Sequence, residues 1–372
     1  MVRLGNSSTI LVGTGTITGL LFLEKTLRQL LALLLFAPLA QAQETPEPIE
    51  HTQLADGIYM LHTMGSVGLL VGDEYVVMID DSLRQRGDQL VAKAEELAGR
   101  PVDFVINTHV HGDHVGSNQT LAESGAIIVA HDNIRKRMLD NAELNTGPGA
   151  LPVITFSEEV TFHVNGMEAY VFHLPSAHTD GDAAILFREA NVIAPGDIVF
   201  RGIFPYIDLD NGGSVSGFKT AMQTLIDMAD EETKFISGHG PAATRAGLEQ
   251  DLAMLKDAES LVKALIDKGM DEEEIVQANR LAKYHEQYSW AFISTERMTR
   301  TLLRSQTETE ADIMDNQQAA DLVSNMWDDS LIPEIAEYIK VPTKSPHFDP
   351  DWEKHGHMET AVEMLEAWCK TQ

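Results

Sequence analysis

One cysteine, Cys369, is all the thiol that the 372-residue chain contains. No intrachain disulfide can form, so the fold does not depend on oxidation, and a metal held mid-chain must use nitrogen and oxygen ligands. Basic residues are scarce too. Lys and Arg number 27 against 57 Asp and Glu, a formal net charge of −30. That balance argues against nucleic acid and against an anionic membrane surface as partners. The chain has no G-x-S-x-G elbow and no recognisable Ser-His-Asp arrangement, which leaves a serine hydrolase without its nucleophile. No basic cluster suited to the carboxylates of glutathione stands out, and no repeat of solenoid period occurs.

Long apolar runs are also rare. Leu30 to Leu39 is too short for a comfortable membrane span. Lys25 and Arg28 precede it, and Ala40-Gln41-Ala42 follows as an A-x-A pattern. Residues 1–42 are therefore expected to be a secretory leader cleaved after Ala42, which implies a periplasmic or secreted protein. Without a cysteine there, a lipid anchor is excluded.

What remains has an ordinary globular composition, 44% hydrophobic and 23% charged. Ile58–His62, Gly68–Gly72 and Tyr75–Asp80 read as short strands, and Arg86–Ala98 has helical spacing. The segments Val102–Asn107 and Ala126–Ala130 read as buried strands, with helices over Asn118–Ser124 and Asn133–Asn141. This alternation implies an α/β layer fold. A second run of strands follows at Val153–Phe156, Val160–Val164, Met167–Leu174, Ala183–Phe187 and Asn191–Ala194. A helix over Val215–Met228 leads to a strand at Lys234–Ser237. From Arg245 the pattern is helical, including a helix expected over Trp290–Arg304. Residues 306–318 read as an acidic linker, and 319–372 as a helical tail carrying Trp327, Trp352 and Trp368.

The chemistry concentrates in Thr108-His109-Val110-His111-Gly112-Asp113-His114. Three imidazoles and a carboxylate fall within six residues at the end of a strand, and these are groups that zinc and iron prefer. In extended backbone, His109 and His111 share a side. Asp113 and His114 follow Gly112, where the chain can turn, so one segment can serve two neighbouring metals. A histidine chosen for solubility has no reason to recur this way.

The H-x-H-x-D-H spacing resembles the signature of the metallo-β-lactamase superfamily, and the downstream motifs fit. His178 follows a strand, Asp197 ends Ile193-Ala194-Pro195-Gly196, and His239 lies in Gly238-His239-Gly240. Asp80 matches an aspartate that orients the site from behind. Taken singly, His178 or His239 would more often be a capping or core residue. The resemblance spans about residues 50–305. It implies a four-layer αββα sandwich, with residues 50–245 as the metallo-β-lactamase-like domain, helices 246–305 completing it, and 306–372 as an extension beyond it. It implies one metal on His109, His111 and His178, a second on Asp113, His114 and His239, and Asp197 bridging them. Asp182 reads as a turn residue or support for the ligands. His131, His163 and His173 read as structural, and His62 as a core or surface residue.

Two cations about 3.5–4 Å apart acidify a shared water and clamp an oxygen. The expected reaction is attack of a metal-bridging hydroxide on the carbonyl of a small β-lactam, lactone, ester or thioester. Asp113 would orient the hydroxide or take its proton, and Tyr206 would help hold the oxyanion. Two zinc ions per chain are the expected cofactors, with iron or manganese as substitutes. Asp197 stands where class B β-lactamases have cysteine, and His114 where they have arginine or a small residue. The ligands are closer to glyoxalase II-like thioesterases and lactonases. The rival readings are an iron-dependent persulfide dioxygenase-like enzyme and a non-catalytic metal-binding protein. The C-terminal helices are expected to cover the domain or to pair two copies as a homodimer.

Overall fold

Strand alternation decides which face each residue shows. A computed structural model describes residues 47–307, 332–341 and 351–369. The leader expected in residues 1–42, residues 308–318 of the acidic linker, and Trp327 lie outside the described residues. The chain divides into two units, residues 1–48 and 49–372, and the second contains two mixed sheets. The first sheet orders β1 (Glu50–Ala55), β2 (Ile58–His62), β3 (Val67–Val71), β4 (Val76–Ile79), β5 (Phe104–Asn107), β6 (Ile127–His131) and β7 (Ile154–Phe156) side by side. Pairing is antiparallel from β1 to β4 and parallel from β4 to β7. The second sheet comprises β8 (Glu159–Val164), β9 (Met167–His173), β10 (Ala183–Phe187), β11 (Val192–Ala194), β12 (Lys234–Phe235) and β13 (Ala243–Thr244), also in sequence order. There β11–β12 is the parallel pair.

Parallel neighbours need crossovers, and helices supply them. They are α1 (Gly87–Ala98) between β4 and β5, α2 (Gly112–Val115) and α3 (Asn118–Glu123) between β5 and β6, α4 (Asp132–Asp140) between β6 and β7, and α5 (Val215–Met228) between β11 and β12. The helix α6 (Arg245–Ile266) follows β13.

Side chains sort by parity. Val77, Ile79, Ile106 and Val129 of the first sheet share a buried cluster with Ile185, Phe187, Val192 and Ala194 of the second. Their neighbours Val76, Met78, Val105 and Ile128 face the other way, onto Leu90 and Ala94 of α1 and Leu121 of α3. In the second sheet Leu186 and Ile193 turn outward onto Phe218 and Leu225 of α5 and Leu248 and Leu255 of α6. The result is the four-layer α/β/β/α sandwich.

Beyond α6 lie α7 (Glu272–Ala278), α8 (His285–Tyr288) and a helix, α9, over residues 295–307. Asp271 and Glu274 form a reciprocal capping box at the start of α7. The helix expected from Trp290 thus begins five residues later. Trp290 is held in a loop instead: its indole Nε1 donates to the Phe204 carbonyl at 2.9 Å and its backbone N–H to Ile293 at 3.1 Å. Further helices cover Ile332–Lys340, Trp352–His355 and His357–Cys369. Among the described residues no helix is long and apolar enough to cross a membrane.

Candidate metal centre

Each of the candidate ligands follows a strand or a turn at one edge of the sandwich. β5 ends at Asn107 and delivers His109 and His111, and the short α2 adds Asp113 and His114. The loop from β9 to β10 carries His178, the turn after β11 carries Asp197, and the segment after β12 carries His239. Two ligand clusters result. His109, His111, His178 and Asp197 form one; Asp113, His114 and His239 form the other. Asp197 joins them. Its carboxylate lies 3.6 Å from His109 Nε2, 3.5 Å from His178 Nε2, 3.2 Å from His114 Nε2 and 3.3 Å from His239 Nε2. Asp113 Oδ2 lies 3.3 Å from His239 Nε2 and 3.7 Å from His114 Nε2.

The far nitrogens of the rings are anchored, and the anchors fix which nitrogen faces inward. Asp80 follows β4 with a φ of 59°, in the left-handed region. It accepts from Thr108 N at 2.7 Å and from Thr108 Oγ1 at 2.7 Å. The Thr108 hydroxyl proton is thereby used, so that hydroxyl accepts from His109 Nδ1 at 3.0 Å. Asp80 also accepts from His114 Nδ1 at 2.8 Å. Asp80 could be grouped with His109 and His114 as a third ligand set. Its bond to the outer nitrogen of His114 makes it a support rather than a ligand. His178 Nδ1 donates to the Tyr206 carbonyl at 2.7 Å, and His111 Nε2 to Asp208 Oδ2 at 2.8 Å. Asp182 accepts from Thr179 N and Oγ1 and so shapes the turn that carries His178.

These anchors leave lone pairs pointing at one another. His111 Nδ1 and His178 Nε2 are 2.8 Å apart. With both outer nitrogens donating, neither has a proton to offer the other. His109 Nε2 is buried without a hydrogen-bond partner, and His114 Nε2 and Asp197 Oδ1 have only each other, at 3.2 Å. Buried polar atoms left in this state are costly, and a cation relieves them together. The backbone is cleared for it as well. A Cβ on Gly65 would lie 2.6 Å from His114 Nε2, and one on Gly238 would lie 2.1 Å from Asp197 Oδ1. The donor set fits a metal of the zinc or iron class.

Charge is divided within the cluster. Burial, then the neighbouring His114, holds His109 well below the usual imidazole range, and burial with His111 lowers His178 to about 3. For His114, burial opposes protonation, but Asp197, Asp113 and Asp80 outweigh it and raise the pKa well above the ordinary value. Burial likewise opposes charge on His239, yet Asp197 and Asp113 raise it to about 9. Asp197 stays ionised despite its burial because His114, His239 and His109 surround it.

The sequence reading missed Asp208. One aspartate among 57 acidic residues has no local signature, and its bond to His111 exists only in three dimensions. Tyr206 does sit at the site, but through its ring, 5.5 Å from that of His111 and 5.7 Å from that of His178. Burial and Asp208 push its phenol up to about 12. His131 and His173 stack on each other at 3.9 Å, apart from the ligand clusters. His62 and His163 are exposed.

Residues 62–244 match the family model of the Metallo-beta-lactamase superfamily. The "Probable metallo-hydrolase YqgX" of Bacillus subtilis is 27% identical over 190 residues, 49% of this chain and 87% of that one. A type 2 metallo-beta-lactamase of Bacillus cereus is 24% identical over 209 residues, covering 55% and 78%. A hydroxyacylglutathione hydrolase of Pelagibacter ubique is 26% identical over 140 residues, covering 37% and 51%. Among solved structures, a metallo-beta-lactamase from Pontibacter korlensis aligns with a TM-score of 0.50 at 18% identity, covering 56% of this chain and 99% of that one. A double mutant of the sec-alkyl sulfatase PisA1 aligns with a TM-score of 0.55 at 14% identity, covering 68% and 49%. By its fold, its clustered histidines and aspartates, and its match over residues 62–244, the chain belongs to the metallo-beta-lactamase superfamily.

Proposed function

We propose that this metallo-hydrolase carries two zinc ions and hydrolyses a carbonyl compound: a β-lactam, lactone, ester or thioester. The observation that carries the reading is the pair of lone pairs facing each other across 2.8 Å between His111 and His178, beside a second cluster built from Asp113, His114 and His239. His109, His111 and His178 would hold one ion, Asp113, His114 and His239 the other, with Asp197 between them. Bound zinc supplies Lewis acidity, which acidifies water and polarises a carbonyl.

The chain supplies position and proton traffic. His109, His114, His178 and Asp197 are at most 4% exposed, whereas Asp113 keeps 22% of its side-chain surface and His111 21%. Substrate therefore approaches past Asp113 and His111. Asp113 is held below the ordinary carboxylate range: burial opposes this, but His114 and the bond from His239 prevail. It enters the reaction as an ionised carboxylate, able to orient the attacking water or take its proton and pass it to the leaving group. Asp80, Thr108 and Asp208 keep the imidazoles aimed.

Among relatives, hydroxyacylglutathione hydrolase and metallo-beta-lactamase are the named activities, which supports acyl chemistry without choosing the acyl group. Metal analysis and turnover of nitrocefin, a lactone and a thioester test the proposal. About two zinc per chain, with turnover abolished by His109→Ala, is the expected result. One iron per chain with oxygen uptake, or turnover indifferent to His109→Ala, overturns it. A leader in residues 1–42 would place this chemistry outside the cytosol, and N-terminal sequencing of mature protein should begin at Gln43.

A further inference from the structure

In a chain of net charge −30 an arginine usually finds a carboxylate. On α9, Arg300 is tied to Glu272, Glu273 and Glu296, and Arg304 to Asp210. Arg297, on the same helix, has no carboxylate within ion-pair reach among the described residues. Instead its guanidinium lies over two rings, 4.1 Å from the centre of Phe292 and 5.2 Å from that of Tyr206, and Nη1 donates to the Phe292 carbonyl at 3.0 Å. It is exposed.

Those rings lead into the metal centre from both sides. Tyr206 packs against His111, and Phe292 meets Tyr206 at 5.2 Å. Trp290 meets Phe292 at 5.6 Å and His239 at 5.9 Å. His111 and His239 retain exposed surface, so this wall flanks the open side of the centre. Beside this wall, a cavity of about 210 Å³ is lined by Tyr206, Asp208, Asp210, Arg297, Arg300 and Arg304. Its acidic members are already engaged: Asp208 by His111 and Asn211, and Asp210 by Arg304.

We infer that Arg297 and the Tyr206–Phe292–Trp290 wall form a substrate subsite for a carboxylate borne on a flat apolar body, with the scissile carbonyl lying at the metal centre. The inference rests on the hydrolase reading for what happens next, but not for binding itself. With Nη1 spent on the Phe292 carbonyl, the guanidinium keeps its Nε and Nη2 edge for a planar two-oxygen anion, and a carboxylate has that shape. The aromatic faces attract the cation and offer the substrate body an apolar surface. At ionic strength near 0.1 M, repulsion from remote acidic residues is screened beyond about 10 Å, and of the arginines lining the cavity Arg300 and Arg304 are already paired with carboxylates, which leaves Arg297 to receive the anion.

The test uses full-length protein in which Trp327, Trp352 and Trp368 are replaced by Phe, leaving Trp290 as reporter. The carboxylic acid 4-(4-nitrophenyl)butanoate and its uncharged amide 4-(4-nitrophenyl)butanamide, both quenchers of indole fluorescence, are titrated into zinc-loaded and chelator-treated samples. The metal-free titration removes direct carboxylate–zinc ligation as an explanation. The acid should bind at least about tenfold tighter than the amide in both samples. Arg297→Ala should erase the preference, Arg297→Lys should keep part of it, and Phe292→Ala should weaken both ligands. Equal binding of acid and amide, no quenching, or a preference that survives Arg297→Ala overturns the subsite. If the preference holds while no ester, lactone, thioester or β-lactam is turned over, the hydrolase reading falls and the subsite stands.

Discussion

At the scale of single residues, the centre was legible wherever chemistry is encoded by rarity. Histidine is uncommon, so its recurrence at His109, His111 and His114 stood out, and Asp113 was carried along by spacing. The supports were not legible. Asp208 is anonymous among acidic residues, and Gly65 reads only as a turn. Yet the Gly65 backbone lies directly against the second ligand cluster. A methyl group there would meet His114 Nε2 at 2.6 Å and the Asp113 carbonyl at 2.5 Å. Gly65→Ala is expected to lower zinc content towards one per chain while leaving far-ultraviolet circular dichroism unchanged, as measured by elemental analysis. A second residue-scale prediction concerns pH. In metal-free protein His239 is raised to about 9 and His114 above its ordinary value, so both carry protons that a metal must expel. Protons and metal compete, so affinity falls as pH falls, and the competition from His239 fades only as pH rises through about 9. Chelator competition at several pH values, with proton release followed by an indicator dye, should show both. Affinity independent of pH between about 6 and 8 would remove the assignment.

Among the elements, long periodic segments were readable and short or polar ones were not. α5 was placed from Val215 to Met228 because its apolar spacing is unbroken. β1 escaped because Glu50–Ala55 is an edge strand whose first four residues are exposed, so it shows no buried face to read. The segment from Trp290 to Ile293 misled because its aromatic and aliphatic residues mimic a helical face. In fact Trp290 is spent on the Phe204 carbonyl and on the rings beside His239. For α6 the reading can be tested by energetics. Leu255 is fully buried between that helix and the second sheet. Leu255→Ala should cost about 2–5 kcal/mol, the price of a large-to-small change in a packed core. Urea unfolding should register that loss with zinc affinity unchanged.

For the whole molecule, strand–helix alternation implied an α/β layer fold, whereas the four-layer order and the meeting of the two sheets at one site came only through the family resemblance. No local pattern says that the end of β5 and the turn after β11 share an edge. That adjacency makes the centre a joint between sheets: His109, His111, Asp113 and His114 come from one, His178, Asp197 and His239 from the other. Zinc should therefore stabilise the sandwich as a unit. At a free concentration one hundred times the dissociation constant, each independent site adds about 2.7 kcal/mol. Thermal unfolding with and without chelator should show one cooperative transition that moves up with zinc. A transition indifferent to zinc would mean that the joint is not where the metal acts.

The position of Asp197 also sets what metal uptake has to exchange. Its carboxylate lies within 3.2–3.6 Å of four imidazoles drawn from three segments, and two of them, His114 and His239, are raised towards the charged form that offsets it. A cation seated at this carboxylate would trade places with those protons, so metal uptake and proton release become a single exchange.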